Sequence, residues 1–212
     1  MKGTHVLVRW SGLAWLVAGA LFPAYTLLHP AEEGAAAVLS SPWAAIHSLW
    51  FMGTLLTLAG LVGMYAWQAG TLGRLGAAGF VLAFTGTALM LGVIFYDSYI
   101  VPVLAASAPA LLDPDGSLAT APALLAGGSL GFVLDALGYL LFGIATIRAG
   151  TLPRAAGLLL AAGGALFPAG QALGPLIGTA CALVFAVGLI WSGYVLWSGS
   201  SAPVRRPQPA IG

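Results

Sequence analysis

Six long apolar runs constrain the fold of this 212-residue chain more than any other feature. Each is close to the roughly 20 residues that an α-helix needs to cross the hydrocarbon core of a bilayer. Only 6% of the residues are charged, whereas soluble domains carry about 25%. The sequence therefore predicts an all-α membrane protein with a six-transmembrane-helix bundle over residues 1–197 and a disordered cytoplasmic tail over 198–212. The predicted spans are residues 10–28, 43–67, 75–96, 122–147, 155–173 and 175–197.

The charged residues predict the orientation of this bundle, because Lys and Arg are enriched in cytoplasmic loops. In the six-span arrangement every Lys and Arg falls on one side, and the acidic loop residues fall on the other. Both termini are therefore predicted to be cytoplasmic. A net charge of +1 with no basic stripe makes the lipid bilayer the expected partner and argues against nucleic acid. The basic set is Lys2, Arg9, Arg74, Arg148, Arg154, Arg205 and Arg206, and the acidic set is Glu32, Glu33, Asp97, Asp113 and Asp115.

Short repeated segments indicate internal duplication. AGTLGR at 69–74 differs from AGTLPR at 149–154 at one position, and residues 9–24 resemble residues 154–169, including a shared Leu-Phe-Pro-Ala. The pattern predicts three related helical hairpins around an axis near the membrane normal. Pro23 and Pro168 occupy matching places, where they could kink a pair of helices and open a central cavity or could be ordinary prolines of membrane helices.

Asp135 is the most informative polar residue because it lies deep inside the fourth predicted span. A central Asp costs about 2.5 to 3.5 kcal/mol to insert, so it should face the bundle interior and have a partner. The candidate partners are Gln171, Tyr139 and, towards the outer face, Ser129. Asp135 is then either a neutral structural hydrogen-bond donor or, with Gln171 and Tyr139, part of a ligand or proton pathway.

His29, His47 and Asp97 are predicted to lie at one level near the outer ends of three spans. Two imidazoles and a carboxylate could bind zinc or another divalent ion, and two imidazoles could hold a haem between them. Ordinary interfacial histidines are the simpler interpretation, so no cofactor is predicted. Four tryptophans near span ends are assigned to the interfacial aromatic belt: Trp10, Trp43, Trp67 and Trp197.

The segment from Asp97 to Thr120 is predicted to be external, as an interfacial helix or as a lid over the bundle mouth. Catalytic signatures such as a nucleophile elbow, a P-loop or a C-x-x-C pair are missing from the sequence. Enzymatic activity is therefore left open, and a non-enzymatic function is preferred.

Two stretches carry a resemblance to known proteins: SPWAAIHSLWFMGTLLTLAGLVGMYAWQ, from Ser41 to Gln68, and AGTLPRAAGLLLAAGGALFPAG. With the six-span pattern, they resemble uncharacterised six-span bacterial multi-pass membrane proteins built of domains of unknown function. The resemblance implies a location in the bacterial cytoplasmic (inner) membrane and supplies no catalytic residues.

Three functional hypotheses follow. The first is a non-enzymatic bundle that binds or passes a small apolar or protonatable ligand, with Asp135 polarising a cavity open to the outer face. The second is a structural or assembly subunit of a membrane complex. The third is a membrane enzyme or redox protein with a metal or haem at the outer face.

Overall fold

The computed structural model describes residues 2–30, 34–113, 115–171 and 173–199. Within these ranges the chain forms helices and no strands, which confirms the all-α prediction. Most of the predicted tail, from residue 200 onwards, lies outside the described residues, as do Glu32 and Glu33. The α-helices are α1 (Lys2–Leu28), α2 (Ala35–Ser40), α3 (Trp43–Gln68), α4 (Gly73–Phe95), α5 (Val101–Ser107), α6 (Pro122–Ala149), α7 (Arg154–Gln171) and α8 (Pro175–Ser198).

Five helical segments in the described ranges are long and apolar enough to cross a membrane. The helix α7 is also apolar but has 18 residues, and its length of about 27 Å is slightly less than the roughly 30 Å of a bilayer core. The protein is therefore an integral membrane protein, and the sixth crossing remains a prediction. The five segments are His5–Leu28, Trp43–Gln68, Gly73–Ser107, Pro122–Ala149 and Pro175–Ser198.

The six long helices pack side by side in a closed ring. Each contacts its neighbours in the order α1, α3, α4, α6, α7 and α8, and α8 returns to α1. Three pairs of successive long helices pack against each other: α1 with α3, α4 with α6, and α7 with α8. These pairs are the three predicted hairpins. Large buried side chains, including Trp15, Phe22, Phe142 and Leu189, fill the ring.

Glycine allows α4 and α6 to approach at backbone distance. A Cβ on Gly138 of α6 would lie 2.0 Å from the backbone nitrogen of Ala83 in α4. A Cβ on Gly86 of α4 would lie 2.2 Å from the backbone nitrogen of Asp135. Small residues replace the hydrophobic driving force that is missing between helices in lipid. This close packing fixes the position of Asp135 against α4.

The repeats bring Gly12, Gly79 and Gly157 into matching positions, since AAG at 77–79 also matches AAG at 155–157. Their packing tests the predicted repetition in part. Gly12 of α1 packs against α8 of the third hairpin, and the matched Gly157 of α7 packs against α6 of the second hairpin. Each of the two glycines therefore faces a neighbouring hairpin in the ring. Gly79 of α4 instead packs against α6, the second helix of its own hairpin. The first and third hairpins therefore share a packing pattern that the middle one lacks, and a threefold repeat remains a prediction.

A polar network at one end of the ring ties two loops together. Gln68 at the end of α3 donates from Nε2 to Thr146 Oγ1 of α6 at 3.4 Å, and Thr151 in the next loop donates to Gln68 Oε1. The side chain of Arg9 lies over the ring of Trp197, 4.9 Å from its centroid. We call this end the basic end, because α4 and α7 begin there and α6 ends there, each with an Arg in its terminal turns.

The acidic end, opposite, holds Asp97 and the loop with Asp113 and Asp115. The helix of the third predicted span continues past residue 96, through a π-helix at Tyr96–Ile100 and into α5. The predicted external segment therefore begins as a continuation of the helix, because its apolar residues can still pack. Val101 and Ala105 form a buried cluster with Val38 of α2 and Trp43 of α3, so α2 and α5 form one wall of the acidic end.

Candidate ligand-binding site

A cavity of about 450 Å³ opens at the acidic end, and we call it the vestibule. Its walls come from the last turn of α1, the first turns of α3 and α8, the π-helix, α5 and α2. Such a volume lies within the roughly 300 to 1,000 Å³ of typical small-molecule sites. The described lining residues are Tyr25, Thr26, His29, Pro30, Gly34, Val38, Trp43, Trp50, Asp97, Val101, Leu112, Gly174, Pro175 and Thr179.

Aromatic rings form much of one side of the vestibule. Trp43, His47 and Trp50 are spaced i, i+4 and i+7, so they share one face of α3. Tyr25 and His29 are spaced i and i+4 at the end of α1. Tyr25 stacks on Trp50 with 4.9 Å between ring centroids, and Trp43 stacks on His47 at 4.1 Å. The edge of His29 approaches His47, with centroids 5.0 Å apart.

His47 is fully buried beside the vestibule and is held from two sides. Its Nδ1 lies 3.0 Å from the backbone carbonyl oxygen of Trp43, and since a carbonyl only accepts, Nδ1 carries the proton. Its Nε2 lies 3.2 Å from Oδ2 of Asp97, but Nε2 makes no hydrogen bond to a described group. The side chain of Asp97 is 30% exposed, so its carboxylate contacts both His47 and the vestibule.

The backbone around Asp97 is anchored to α3 as well. Trp43 Nε1 donates to the backbone oxygen of Asp97 at 3.0 Å. The hydroxyls of Ser48 and Tyr99 lie 3.0 Å apart. These bonds connect the π-helix to the first turns of α3 and hold the carboxylate in place. Trp43 is buried at 6% exposure, so it packs inside the site and not on the outer surface of the bundle.

The structure thus brings His47 and Asp97 into contact and places His29 next to His47, as expected from their common level. Nδ1 of His29 lies 2.8 Å from the carbonyl oxygen of Pro30. The two imidazoles touch edge to face, which leaves no room between them for a porphyrin. Among the described residues, no three His, Cys, Asp or Glu side chains are grouped closely enough to hold a metal ion. Metal binding stays an alternative and not a prediction.

Asp135 faces a second, much smaller cavity of about 30 Å³ deeper in the bundle. Thr87 Oγ1 of α4 donates to Asp135 Oδ1 at 2.6 Å. The fully buried Tyr139 also lines this inner cavity, and its hydroxyl has no hydrogen-bond partner among the described groups. The volume matches the space of about one water molecule. The other lining residues are Phe22, Trp50, Thr54, Thr57, Met90, Ile94, Phe132, Phe167, Pro168 and Phe185.

The predicted trio of Asp135, Gln171 and Tyr139 is therefore observed in part. Asp135 and Tyr139 share the inner cavity, while the side chain of Gln171 lies outside the described residues. Asp135 lines the inner cavity, whereas Asp97 and His29 line the vestibule, so a polarising role of Asp135 stays a prediction for the inner cavity. Trp50 lines both cavities and is the common wall between them.

Sequence reasoning missed Thr87, Trp50 and Tyr25. Helical rise gives the depth of a residue in the membrane but not the direction in which it points, so one Thr in a span could not be distinguished from another. A usable signal existed for the aromatic residues, because Trp43, His47 and Trp50 repeat at the spacing of one helix face. That spacing predicts a shared lining, which the structure shows.

No protein-family model, curated protein or solved structure matches this chain. The resemblance to six-span bacterial membrane proteins therefore remains a prediction. The fold and the helix lengths together define the class as a polytopic helical membrane protein.

Proposed function

We propose that this membrane protein binds a small, largely apolar or protonatable ligand in the vestibule, without catalysing a reaction. The vestibule itself carries the proposal: a cavity of about 450 Å³ whose lining combines aromatic rings with the polar side chains of Thr26, His29, Asp97 and Thr179. Ligand sites are typically concave, mostly apolar and equipped with a small number of orienting polar side chains. His29, Asp97 and Thr179 supply such groups.

Passage of the ligand, or of a proton, toward the inner cavity is the extended form of this proposal. Trp50 separates the vestibule from the inner cavity, and Asp135 lies beyond it. A buried acid in a membrane bundle is usually functional or specifically paired. The Thr87 bond stabilises Asp135 structurally, and the adjoining cavity of about 30 Å³ is large enough for one water but not for an organic ligand.

We also infer an orientation in the bacterial cytoplasmic membrane. The basic end faces the cytoplasm under the rule that positive charge stays inside, so the vestibule opens to the outside. The experiment is thiol labelling in intact cells with a membrane-impermeant maleimide. In a Cys181→Ser background, a cysteine replacing Asp113 should react, and one replacing Thr71 should not. The opposite result would reverse the orientation.

The test of the proposed function fills the vestibule and measures ligand retention. The protein is purified in mild detergent and native mass spectrometry detects bound small molecules. Thr26→Trp places an indole in the vestibule, whereas Leu27→Trp adds the same ring at a side chain that is 75% exposed. Bound mass should be lost from the first variant and kept by the second. Equal retention in both, or no bound molecule in the unmodified protein under any condition, contradicts the proposal.

A second pair of tryptophan variants checks that a loss of binding does not come from misfolding. Thr179 of α8 lines the vestibule, while its neighbour Ala180 is exposed. Thr179→Trp should behave like Thr26→Trp, and Ala180→Trp should bind like the unmodified protein. Melting temperatures of all four variants show whether any loss of binding comes from loss of fold.

A structural or assembly subunit is the alternative function. Glycines on the outer surface of the ring favour this function. A Cβ on Gly92, Gly127 or Gly128 would meet nothing within 4 Å. Such positions would let a helix of another protein approach closely. Purification in mild detergent decides between the two functions, because a stoichiometric partner that is lost on Gly127→Leu substitution would support the assembly role.

A metal or redox protein is the remaining alternative. Its support is the 3.2 Å contact between His47 and Asp97, which could be two of the three or four ligands that a zinc site requires. Elemental analysis and a visible absorption spectrum of the purified protein test for metal and haem. Stoichiometric zinc that disappears in His47→Ala would favour this reading over ligand binding.

A further inference from the structure

The carboxylate of Asp97 reaches the vestibule from a fixed position. Its Oδ2 lies 3.2 Å from Nε2 of His47, and its side chain is 30% exposed. His47 is held in turn by its Nδ1, which lies 3.0 Å from the Trp43 carbonyl oxygen. Asp97 therefore presents a carboxylate to a molecule in the vestibule.

The carboxylate and imidazole side chains in the described lining are Asp97 and His29, and the buried His47 contacts Asp97. Asp97 is the one carboxylate among the described residues that line the vestibule, and none of those residues is Lys or Arg. The described Arg side chains belong to the basic end. With α3 of 26 residues between the ends, the separation is about 39 Å, several times the Debye length of about 8 Å at physiological salt.

The aromatic walls suit a positive charge as well. Tyr25, Trp43 and Trp50 line the vestibule together, and the faces of Trp and Tyr rings attract cations within about 6 Å of their centroids. A bare metal ion would leave most of the 450 Å³ volume unused. The described residues also lack a three-ligand cluster for such an ion. An organic cation uses both the charge and the volume.

We propose that the vestibule selects a small organic ammonium ion that carries an apolar group, with Asp97 as its charge partner and Tyr25, Trp43 and Trp50 as its walls. His47 is a positioning residue: its 3.2 Å contact with Oδ2 holds the carboxylate at the vestibule wall. The inference deepens the proposed function and depends on it, since it names the chemical class of the ligand.

Three probes of matched size test the charge preference: benzylamine, which is an ammonium ion at neutral pH, benzyl alcohol, which is neutral, and benzoate, which is an anion. Binding is measured by isothermal titration to the full chain in lipid nanodiscs, with empty nanodiscs as the blank. Benzylamine should bind at least about 10-fold more tightly than benzyl alcohol, because one charge-assisted contact contributes that much. Benzoate should not bind.

Asp97→Asn should remove the preference by weakening benzylamine binding about 10- to 100-fold while leaving benzyl alcohol binding unchanged. The matched control is Asp113→Asn, which removes an exposed acid at the same end that does not line the vestibule. The control should bind all three probes like the unmodified protein. Asn keeps the backbone bond from Trp43 to position 97, and melting curves verify that the fold is intact.

The two proposals fail in different ways. Equal binding of benzyl alcohol and benzylamine that Thr26→Trp abolishes would overturn the ammonium inference and keep the proposed function. Stoichiometric zinc binding that Asp97→Asn removes, without benzylamine binding, would also overturn it. If no probe binds and native mass spectrometry finds no ligand, the proposed function falls too.

An ammonium group can come from a free amine or from a lipid headgroup, since the vestibule opens at one end of the bundle. Nanodiscs of phosphatidylglycerol alone are compared with nanodiscs containing phosphatidylethanolamine, whose headgroup carries the same primary ammonium. Weaker benzylamine binding in the second set supports a lipid headgroup as the natural occupant. Equal binding supports a free amine.

Discussion

Substitution of Gly138 by Ala should destabilise the bundle more than any other single added methyl group discussed here. The new Cβ would lie 2.0 Å from the backbone nitrogen of Ala83 and 2.4 Å from its Cα. Ordinary contacts of this kind are about 3.5 Å, so α4 and α6 must separate by roughly 1.5 Å near this point. Since the obstacle is backbone, no side-chain rotation can relieve it.

The cost follows from this geometry. Added methylenes in well-packed cores cost about 1 to 3 kcal/mol when side chains can shift, and here two helices must move instead. We expect a net loss of about 3 kcal/mol, after part of the cost of the clash is offset by the helix propensity of Ala, which exceeds that of Gly by about 1 kcal/mol. Separation of the helices should also lengthen the 2.6 Å bond from Thr87 to Asp135, which lies one turn away.

The assay is unfolding of the purified protein in mixed micelles with increasing denaturing detergent. The control is Gly127→Ala on the same helix, where a Cβ meets nothing within 4 Å, and it should be neutral or slightly stabilising. Adding Ala83→Gly to Gly138→Ala should not rescue stability, because the clash is with the backbone of residue 83. Unfolding of Gly138→Ala at the same midpoint as Gly127→Ala, or full rescue by Ala83→Gly, would refute the reasoning.

Three further substitutions probe the polar groups of the interior. Thr87→Val should cost about 1 to 3 kcal/mol by leaving Asp135 without its donor, and Thr87→Ser should restore most of it; equal stability of the Val and Ser variants would show that the bond contributes little. Tyr139→Phe should change stability by less than about 1 kcal/mol, since its hydroxyl has no partner among the described groups; a larger loss in the same unfolding assay would reveal a bridging water. Gln68→Leu should lower the free energy of unfolding by about 1 to 3 kcal/mol, because Thr151 loses its hydrogen-bond acceptor. It should also increase proteolysis at the basic-end loops, and unchanged protease resistance would contradict this.

The helical architecture could be predicted from the sequence because hydropathy and length are sufficient to recognise a membrane helix. The charge segregation of the two ends followed from the same span boundaries. The inward orientation of Asp135 could be predicted from the energetic cost of a charge in lipid, but its partner could not. Thr87 is the partner because of how α4 and α6 are rotated about their own axes. Gly86 and Gly138 determine this rotation through contacts between the two helices, and the sequence of a single span does not show those contacts.

The predicted boundary at Asp97 shows a different reason for failure. An acidic residue interrupts a hydropathy profile, and the profile treats it as the start of a loop. A helix ends only when its backbone hydrogen bonds end, and these continue through the π-helix to Ser107. The charge is tolerated because His47 and the vestibule surround it, so the residue that looked like a span end is part of the site.

The two ends of the bundle are stabilised by different means, and this difference indicates where a ligand can act. At the basic end, Gln68 joins α3, α6 and the loop before α7 through side-chain hydrogen bonds. In the middle, glycine brings α4 and α6 together at backbone distance. At the acidic end, aromatic rings and α2 and α5 surround a space of about 450 Å³ instead. A ligand entering there can gain contacts without separating close-packed helices, whereas the same ligand in the middle would have to break the interface between α4 and α6.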